Sequence, residues 1–311
     1  MNAMRTIRAN HRRQYFQRMK SSWQQYTLIL PAIAAVFLFH YIPIYGVQIA
    51  FKDFRNLIGI RGSEWIGLNH FQKFIEYPMF WSILKNTVVI SLYSIATFPC
   101  SLIFALMINE LKNGMFKNTV QMLTYAPHFV STVVVASMVM LFLNRESGVI
   151  NHVLSAFGAQ RQDFMGVPEY FSSIYVWSGV WQELGWGTII YLAALSSISP
   201  EMIESAKIDG ASRLKIVRYI NLPSIMPTVI TLLILRTGSL LSVGFEKTYL
   251  LQNSLNISSS RVISTYVYEV GLLNTQYSYS SAIGLFNNVI NIAFILIVNG
   301  ISKRVTQVGL W

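Results

Sequence analysis

Residues 204–223 read ESAKIDGASRLKIVRYINLP, a polar, net-positive stretch set between two strongly apolar segments of a chain otherwise short of charge. Its internal pattern is helical, interrupted, then helical again. Ser199 stands where it can cap a turn opened by Pro200, and Met202, Ile203 and Ala206 give one apolar side through Lys207. Gly210 can take the backbone angles that end this first helix. From Ala211 to Tyr219, Leu214, Val217 and Tyr219 or Ile220 fall toward one side and Arg213, Lys215 and Arg218 toward another. Leu222-Pro223 is expected to stop this run and start the next apolar segment. The stretch therefore predicts a short helix, a glycine turn and a second short helix lying along a membrane surface, a shape suited to being gripped.

The flanking segments set the class. Of 311 residues 53% are hydrophobic and only 12% charged, with a mean hydropathy of +0.45, whereas soluble domains carry about 25% charged residues. Six apolar windows stand out: Thr27–Ala50, Asn86–Ile108, Val120–Leu143, Phe171–Leu195, Leu222–Phe245 and Ser280–Ile301. At about 1.5 Å rise per residue, each can cross a hydrocarbon core of about 30 Å. Four hold no Asp, Glu, Lys or Arg; the fourth holds only Glu183 and the fifth only Arg236. The reading is an all-α integral membrane protein with six transmembrane helices.

Lys and Arg set the orientation, because short cytoplasmic segments carry the excess. Arg5, Arg8, Arg12, Arg13, Arg18 and Lys20 all precede the first window. With that end in the cytoplasm, the inside segments hold 14 of the 24 basic residues and the outside ones 9, and both termini are inside. The N-terminus does not read as a cleavable signal peptide, since its basic region is long and the helix after it is full-length. The basic arm and the pI of about 9.7 argue for orientation and contact with anionic membrane lipid rather than for nucleic acid.

Catalytic signatures are missing. The single cysteine, Cys100, reads as a small buried hydrophobe beside Pro99, and the five histidines form no His-x-x-x-His pair, so no metal site is expected. Neither Gly-x-Ser-x-Gly nor the phosphate-cradling Gly-x-x-x-x-Gly-Lys-[Ser/Thr] occurs. An enzyme with its own ATPase is not expected.

Glu204-Ser205-Ala206, then Asp209-Gly210-Ala211, then Leu222-Pro223 resemble the Glu-Ala-Ala loop of permease subunits of binding-protein-dependent ABC importers, with Ser205 in place of the first alanine. In that family the loop forms coupling helices that dock into the ATPase, which implies an ATPase-coupling role for Glu204, Ser205, Ala206, Asp209, Gly210, Ala211, Leu222 and Pro223. The runs Trp186-Gly187 through Leu195, Gly244 to Lys247, Ile263 to Tyr268 and Tyr277 to Phe286 resemble the carbohydrate subgroup that imports oligosaccharides derived from polysaccharides. The resemblance implies the ABC importer permease fold: a maltose-permease-like core of five helices plus one N-terminal helix. It also implies a second related permease, two ATPase subunits carrying ATP and Mg, an extracytoplasmic solute-binding protein and an oligosaccharide substrate. No cofactor is implied in this chain itself.

The domain organisation that follows is a basic cytoplasmic arm over residues 1–26, a first transmembrane helix and extracytoplasmic loop over 27–85, a permease core over 86–303 with the coupling loop at 199–223, and a cytoplasmic tail over 304–311. The expected location is the bacterial cell membrane.

Sugar rings have apolar faces and many hydroxyls, so a pathway for them wants aromatic platforms beside amides and carboxylates. The fourth window offers Tyr175, Trp177, Trp181, Gln182, Glu183, Trp186 and Tyr191. Tyr175 and Tyr191 lie near its ends, where aromatic residues anchor at the interface; Trp181 lies near mid-depth and either packs helices or lines the pathway. Glu183 and Arg236 sit at the centres of their spans, where an ionisable group normally faces a partner or a wet cavity. They either line the pathway or form a salt bridge between helices. Asn287 and Asn291, four apart on one face, either bind substrate or glue helices together. The substrate-pathway candidates are thus Trp181, Glu183, Trp186, Arg236, Asn287 and Asn291. The alternative function is an ion-coupled secondary transporter of a polar solute, but that would need more coupling carboxylates and would often show two related halves.

Overall fold

The computed structural model describes residues 22–112, 114–238, 241 and 243–306; the basic residues Arg5 to Lys20 and the last five residues lie outside them. The chain divides into two compact units, residues 1–67 and 68–311.

In the first unit, helix α1 (Trp23–Val36) continues through a wide π turn at Phe37–Tyr41 and tight turns as far as Phe51. The whole of Trp23–Phe51 is long and apolar enough to cross a membrane. The π turn precedes Pro43, and the Ile42 N–H reaches back five residues to Phe37. Proline has no N–H to continue the ladder, so the backbone widens just ahead of it. Beyond α1 lies a departure from the all-helical reading: strands β1 (Lys52–Asp53) and β2 (Glu64–Trp65) pair antiparallel, with Lys52 opposite Trp65. The Trp65 ring stacks on Phe51 at 5.5 Å.

The second unit is helical. It begins with α2 (Asn69–Ile75), then α3 (Phe80–Ala96) and α4 (Pro99–Glu110), which together make the second apolar stretch, Phe80–Glu110. Helices α5 (Met115–Tyr125) and α6 (Thr132–Leu143) follow, joined by a 3-10 turn at Ala126–Phe129 and bent by 102° at the junction. Helix α7 (Val149–Ala156) leads to α8 (Phe171–Glu183) and α9 (Thr188–Ser196). The polar loop supplies α10 (Pro200–Ile208). Helix α11 (Arg213–Ile216) runs through a π turn into α12 (Leu222–Thr237), and Arg213–Thr237 is the next stretch able to span. Short helices α13 (Phe245–Leu251) and α14 (Ile263–Tyr268) precede the long α15 (Tyr277–Thr306).

All six apolar windows are largely helical, but they are not six uninterrupted spans. Among the described residues four helical stretches are long and apolar enough to cross a membrane, and the bent α5–α6 pair would make a fifth. The third window breaks because Pro127 lies at the start of the turn that ends α5. The fourth breaks at Gly185-Trp186-Gly187, since glycine is a poor helix former and permits close backbone approach. A Cβ on Gly185 would fall far inside van der Waals contact with the Thr124 backbone carbonyl at the end of α5.

The polar loop also departs from its reading. Ser199 occupies the cap position of α10, but its side chain makes no capping hydrogen bond. Gly210 does end the helix: its φ is +78°, the Ala211 N–H donates to the Ala206 carbonyl at 2.9 Å, and the Gly210 N–H donates to Lys207 at 3.1 Å. This paired closure is the Schellman motif. Leu222-Pro223 does not stop the second run. A π turn at Val217–Asn221 carries it straight into α12, the Leu222 N–H reaching Val217, just as the chain does ahead of Pro43. The exposed apolar residues are Met202, Ile208, Leu214 and Tyr219, whereas Ile203, Ala206 and Val217 turn partly inward.

Candidate functional site

Three helix interruptions meet around one polar cleft. The first lies between α3 and α4. Pro99 has no N–H, and the Phe98 N–H bonds to Ile95, three residues back, at 2.8 Å. The Ser94 carbonyl is thereby freed from the helical ladder. It accepts instead from Thr97 Oγ1 at 2.9 Å and from Arg236 Nη2 at 3.0 Å, and the guanidinium also lies 6.0 Å from the centre of the Phe98 ring. A cation at the C-terminal end of α3 is also favoured by the helix dipole. The second interruption is the turn after Pro127, where the Val130 carbonyl accepts from Gln182 Nε2 at 3.0 Å. The third is the glycine break between α8 and α9.

Two apolar clusters lie to either side along the same helices. Ile90, Ala136, Phe171, Val243, Leu251 and Val262 form one; Phe98, Ala105, Tyr191, Leu195, Ile225 and Val229 form the other. Between them Ser94, Thr97 and Ser101 from the α3–α4 break, Glu183 from α8, Arg236 from α12 and Lys247 from α13 line a cleft of about 410 Å³. Polar groups gather here because unwound and broken helices leave backbone and side-chain partners that a continuous apolar helix lacks.

Glu183 and Arg236 are both on this wall, as their positions suggest, but the ion pair recorded for Glu183 is with another residue. His128 Nδ1 lies 2.9 Å from Glu183 Oε2. A carboxylate can only accept, so Nδ1 carries the hydrogen and donates. The His128 ring stacks on Trp186 at 4.2 Å with an interplanar angle of 5°, and Phe129 meets Trp186 edge-on at 5.7 Å. The pair therefore ties the turn after Pro127 to the glycine break.

Trp181 faces elsewhere. Met138, Phe142, Ile150, Ile174, Trp177 and Trp181 share a separate apolar pocket of about 570 Å³ on the opposite face of α8. Asn291 is buried and its Oδ1 accepts from the Leu241 N–H at 2.9 Å, so it holds the turn after α12. Asn287 Oδ1 is buried with no hydrogen-bond partner among the described residues. Neither asparagine is among the residues lining the cleft.

Of three further participants, one escapes a reading of the sequence and two are named in it without their partners. His128 looks like one of several scattered histidines, and only its place beside Pro127 hints at a turn. Gln182 stands in the aromatic series without a stated partner. Lys247, named only as the end of the run Gly244 to Lys247, falls between apolar windows, yet it is only 8% exposed.

Broken helices around a polar cleft, with an exposed polar loop on the same unit, define the membrane component of a transporter. A family described as the binding-protein-dependent transport system inner membrane component matches residues 97–307. The polygalacturonan/rhamnogalacturonan transport system permease protein YteP of Bacillus subtilis strain 168 is 40% identical over 287 residues, 92% of this chain and 89% of that protein. Protein LplB of the same organism is 41% identical, covering 92% of this chain and 90% of its own length. A chain of a solved bacterial ABC transporter involved in the import of the acidic polysaccharide alginate superposes with a TM-score of 0.87 at 39% identity, covering 94% of this chain and 99% of that one. That transporter has also been solved in complex with an alginate pentasaccharide-bound periplasmic protein, at a TM-score of 0.87 and 38% identity. The chain belongs to the binding-protein-dependent transport system inner membrane components, the permease subunits of ABC importers. It is a transport component whose ATPase is a separate subunit, and membership favours this over the ion-coupled secondary transporter.

Proposed function

We propose that this chain forms half of the translocation pathway of an importer for a polysaccharide-derived oligosaccharide. It receives the sugar from an extracytoplasmic solute-binding protein and pairs with a second, related permease. Two ATPase subunits, which hold ATP and Mg, drive it. Support for the sugar comes from relatives named for polygalacturonan/rhamnogalacturonan transport and alginate import, and from the cleft: hydroxyl, carboxylate, guanidinium and ammonium groups beside aromatic rings suit a polyhydroxylated ligand. Glu183, Arg236 and Lys247 line that route, and Trp186 supports it through His128. In this reading both termini are cytoplasmic, and loop 199–223 docks on an ATPase.

The observation that carries the coupling role is the rigid turn at Gly210. Its backbone closure holds α10 and α11 in one geometry, with Ile208 at 86% exposure and Leu214 at 77% available to a partner. Among the described residues no atom beyond its chain neighbours lies within 4 Å of where a Gly210 Cβ would stand. Asp tolerates the left-handed conformation better than most residues, so Gly210→Asp reports on the approach of another surface more than on the turn itself. Co-purification with the importer's ATPase tests this. The expected result is an inserted Gly210→Asp permease that no longer retains the ATPase or drives uptake; full retention and uptake would refute the coupling role.

A further inference from the structure

The least explained group on the cleft wall is the Lys247 ammonium. It is nearly buried, and its Nζ donates to the Tyr175 carbonyl at 2.9 Å, with the Tyr175 ring centre 5.0 Å away. Among the described residues no carboxylate lies within ion-pairing distance of it; Glu183 across the cleft attracts it only from beyond that distance and is itself engaged by His128, while Arg236 competes for the same carboxylate. An ammonium has three hydrogens to donate. A buried cation left without a counter-ion is costly, and a merely structural contact to one carbonyl would not require the charge.

The surroundings are built to hold it there. A Cβ on Gly179, in the middle of α8, would stand 3.2 Å from Nζ, so the bare glycine supplies the notch through which the ammonium reaches the cleft. The Tyr175 hydroxyl accepts from the Gly244 N–H at 3.0 Å, at the start of α13. One residue of α8 thus sets the register of the helix that carries Lys247 and also receives its ammonium, which fixes the group before any ligand arrives. Arg236 adds a second positive charge to the same cleft.

We propose that Lys247 is a specificity-determining residue that binds a carboxylate of the passing sugar, so that the cleft prefers uronate-containing oligosaccharides over neutral ones. This rests on the oligosaccharide reading above and refines its substrate class. A sugar carboxylate entering the cleft supplies the close counter-ion Lys247 lacks; a neutral sugar leaves two cations, Lys247 and Arg236, to share the one distant carboxylate of Glu183.

The test uses the whole importer with its binding protein in liposomes, and measures uptake of trigalacturonate and trimannuronate against galactotriose and mannotriose. Lys247→Gln keeps a donor for the Tyr175 carbonyl but removes the charge, whereas Lys247→Arg keeps both. The expected result is wild-type preference for a uronate trimer, a loss of at least tenfold in its uptake for Lys247→Gln, and recovery to within about threefold for Lys247→Arg at equal complex yield. Wild-type uptake of a uronate trimer by Lys247→Gln would overturn the proposal, as would a parallel loss of yield and uptake in both variants. A wild-type complex that imports only the neutral trimers would overturn the acidic class and leave the oligosaccharide reading standing. One that imports none of the four would remove that reading itself.

Discussion

Arg236 Nη2 donates to the Ser94 carbonyl at 3.0 Å, an acceptor it shares with Thr97 Oγ1 and one released from the backbone ladder by the interruption ahead of Pro99. A proline on one helix thus sets the position of an arginine on another. Alanine at position 99 restores the missing N–H and favours a continuous helix, whereas proline suits only the first turn it now occupies. Straightening the helix returns the Ser94 carbonyl to the Phe98 N–H, which then competes with Arg236 and Thr97 for its two lone pairs. Pro99→Ala is therefore expected to keep or raise the melting temperature while uptake falls about tenfold, the equivalent of about one hydrogen bond. Thermal melts of the detergent-purified complex beside transport rates check it; unchanged uptake would mean that Arg236 does not depend on the break.

The His128–Glu183 pair separates holding from binding. In Glu183→Gln the side-chain carbonyl still accepts from His128 Nδ1, so the stack on Trp186 survives and only the charge is lost. Complex yield and stability should stay within about 0.5 kcal/mol, as for other partly exposed pairs, while the apparent affinity for sugar changes several-fold. Glu183→Ala leaves His128 without its acceptor and should cost about 1 kcal/mol of stability as well. Identical uptake kinetics for Glu183→Gln and wild type would assign Glu183 to holding the turn alone.

Gly185 and Gly284 form a matched contrast. A methyl group on Gly185 meets the Thr124 backbone, which cannot rotate aside, whereas one on Gly284 meets nothing within 4 Å among the described residues. Gly185→Ala should lower stability by about 2 kcal/mol through the forced separation of α5 from the α8–α9 break. Gly284→Ala should be neutral or stabilising by up to about 1 kcal/mol, since it replaces glycine inside a helix. Melting temperatures of the two variants, measured side by side, decide it; equal tolerance would mean that the α5 contact yields easily.

Much of this architecture was legible in the sequence because long apolar runs and a polar loop with one glycine at its turn are local signals. Thr27–Ala50 and Ser280–Ile301 lie inside single helical stretches, and Gly210 closes its helix as the pattern suggests. Windows of hydropathy cannot show where a span is broken. They run smoothly across Pro127 and Gly185, residues whose effect depends on which neighbour takes the freed backbone groups. The cleft shows the same limit. Mid-span charge singled out Glu183 and Arg236, which do lie on the cleft wall, but Trp181 turned to the other face of α8, a choice settled by tertiary packing. His128 and Lys247 became visible only when distant segments were brought together, because nothing near them in sequence names their partners.

The most direct measurement is sugar uptake into liposomes containing this chain alone, set beside liposomes in which the partner permease, ATPase subunits and binding protein are added. The chain has no phosphate-cradling loop, and its polar loop is too small to bind a nucleotide alone. ATPase activity and uphill oligosaccharide accumulation should appear only with all partners and ATP present. Accumulation by the chain alone, driven by a proton or sodium gradient without ATP, would contradict its role as an ATP-driven permease subunit.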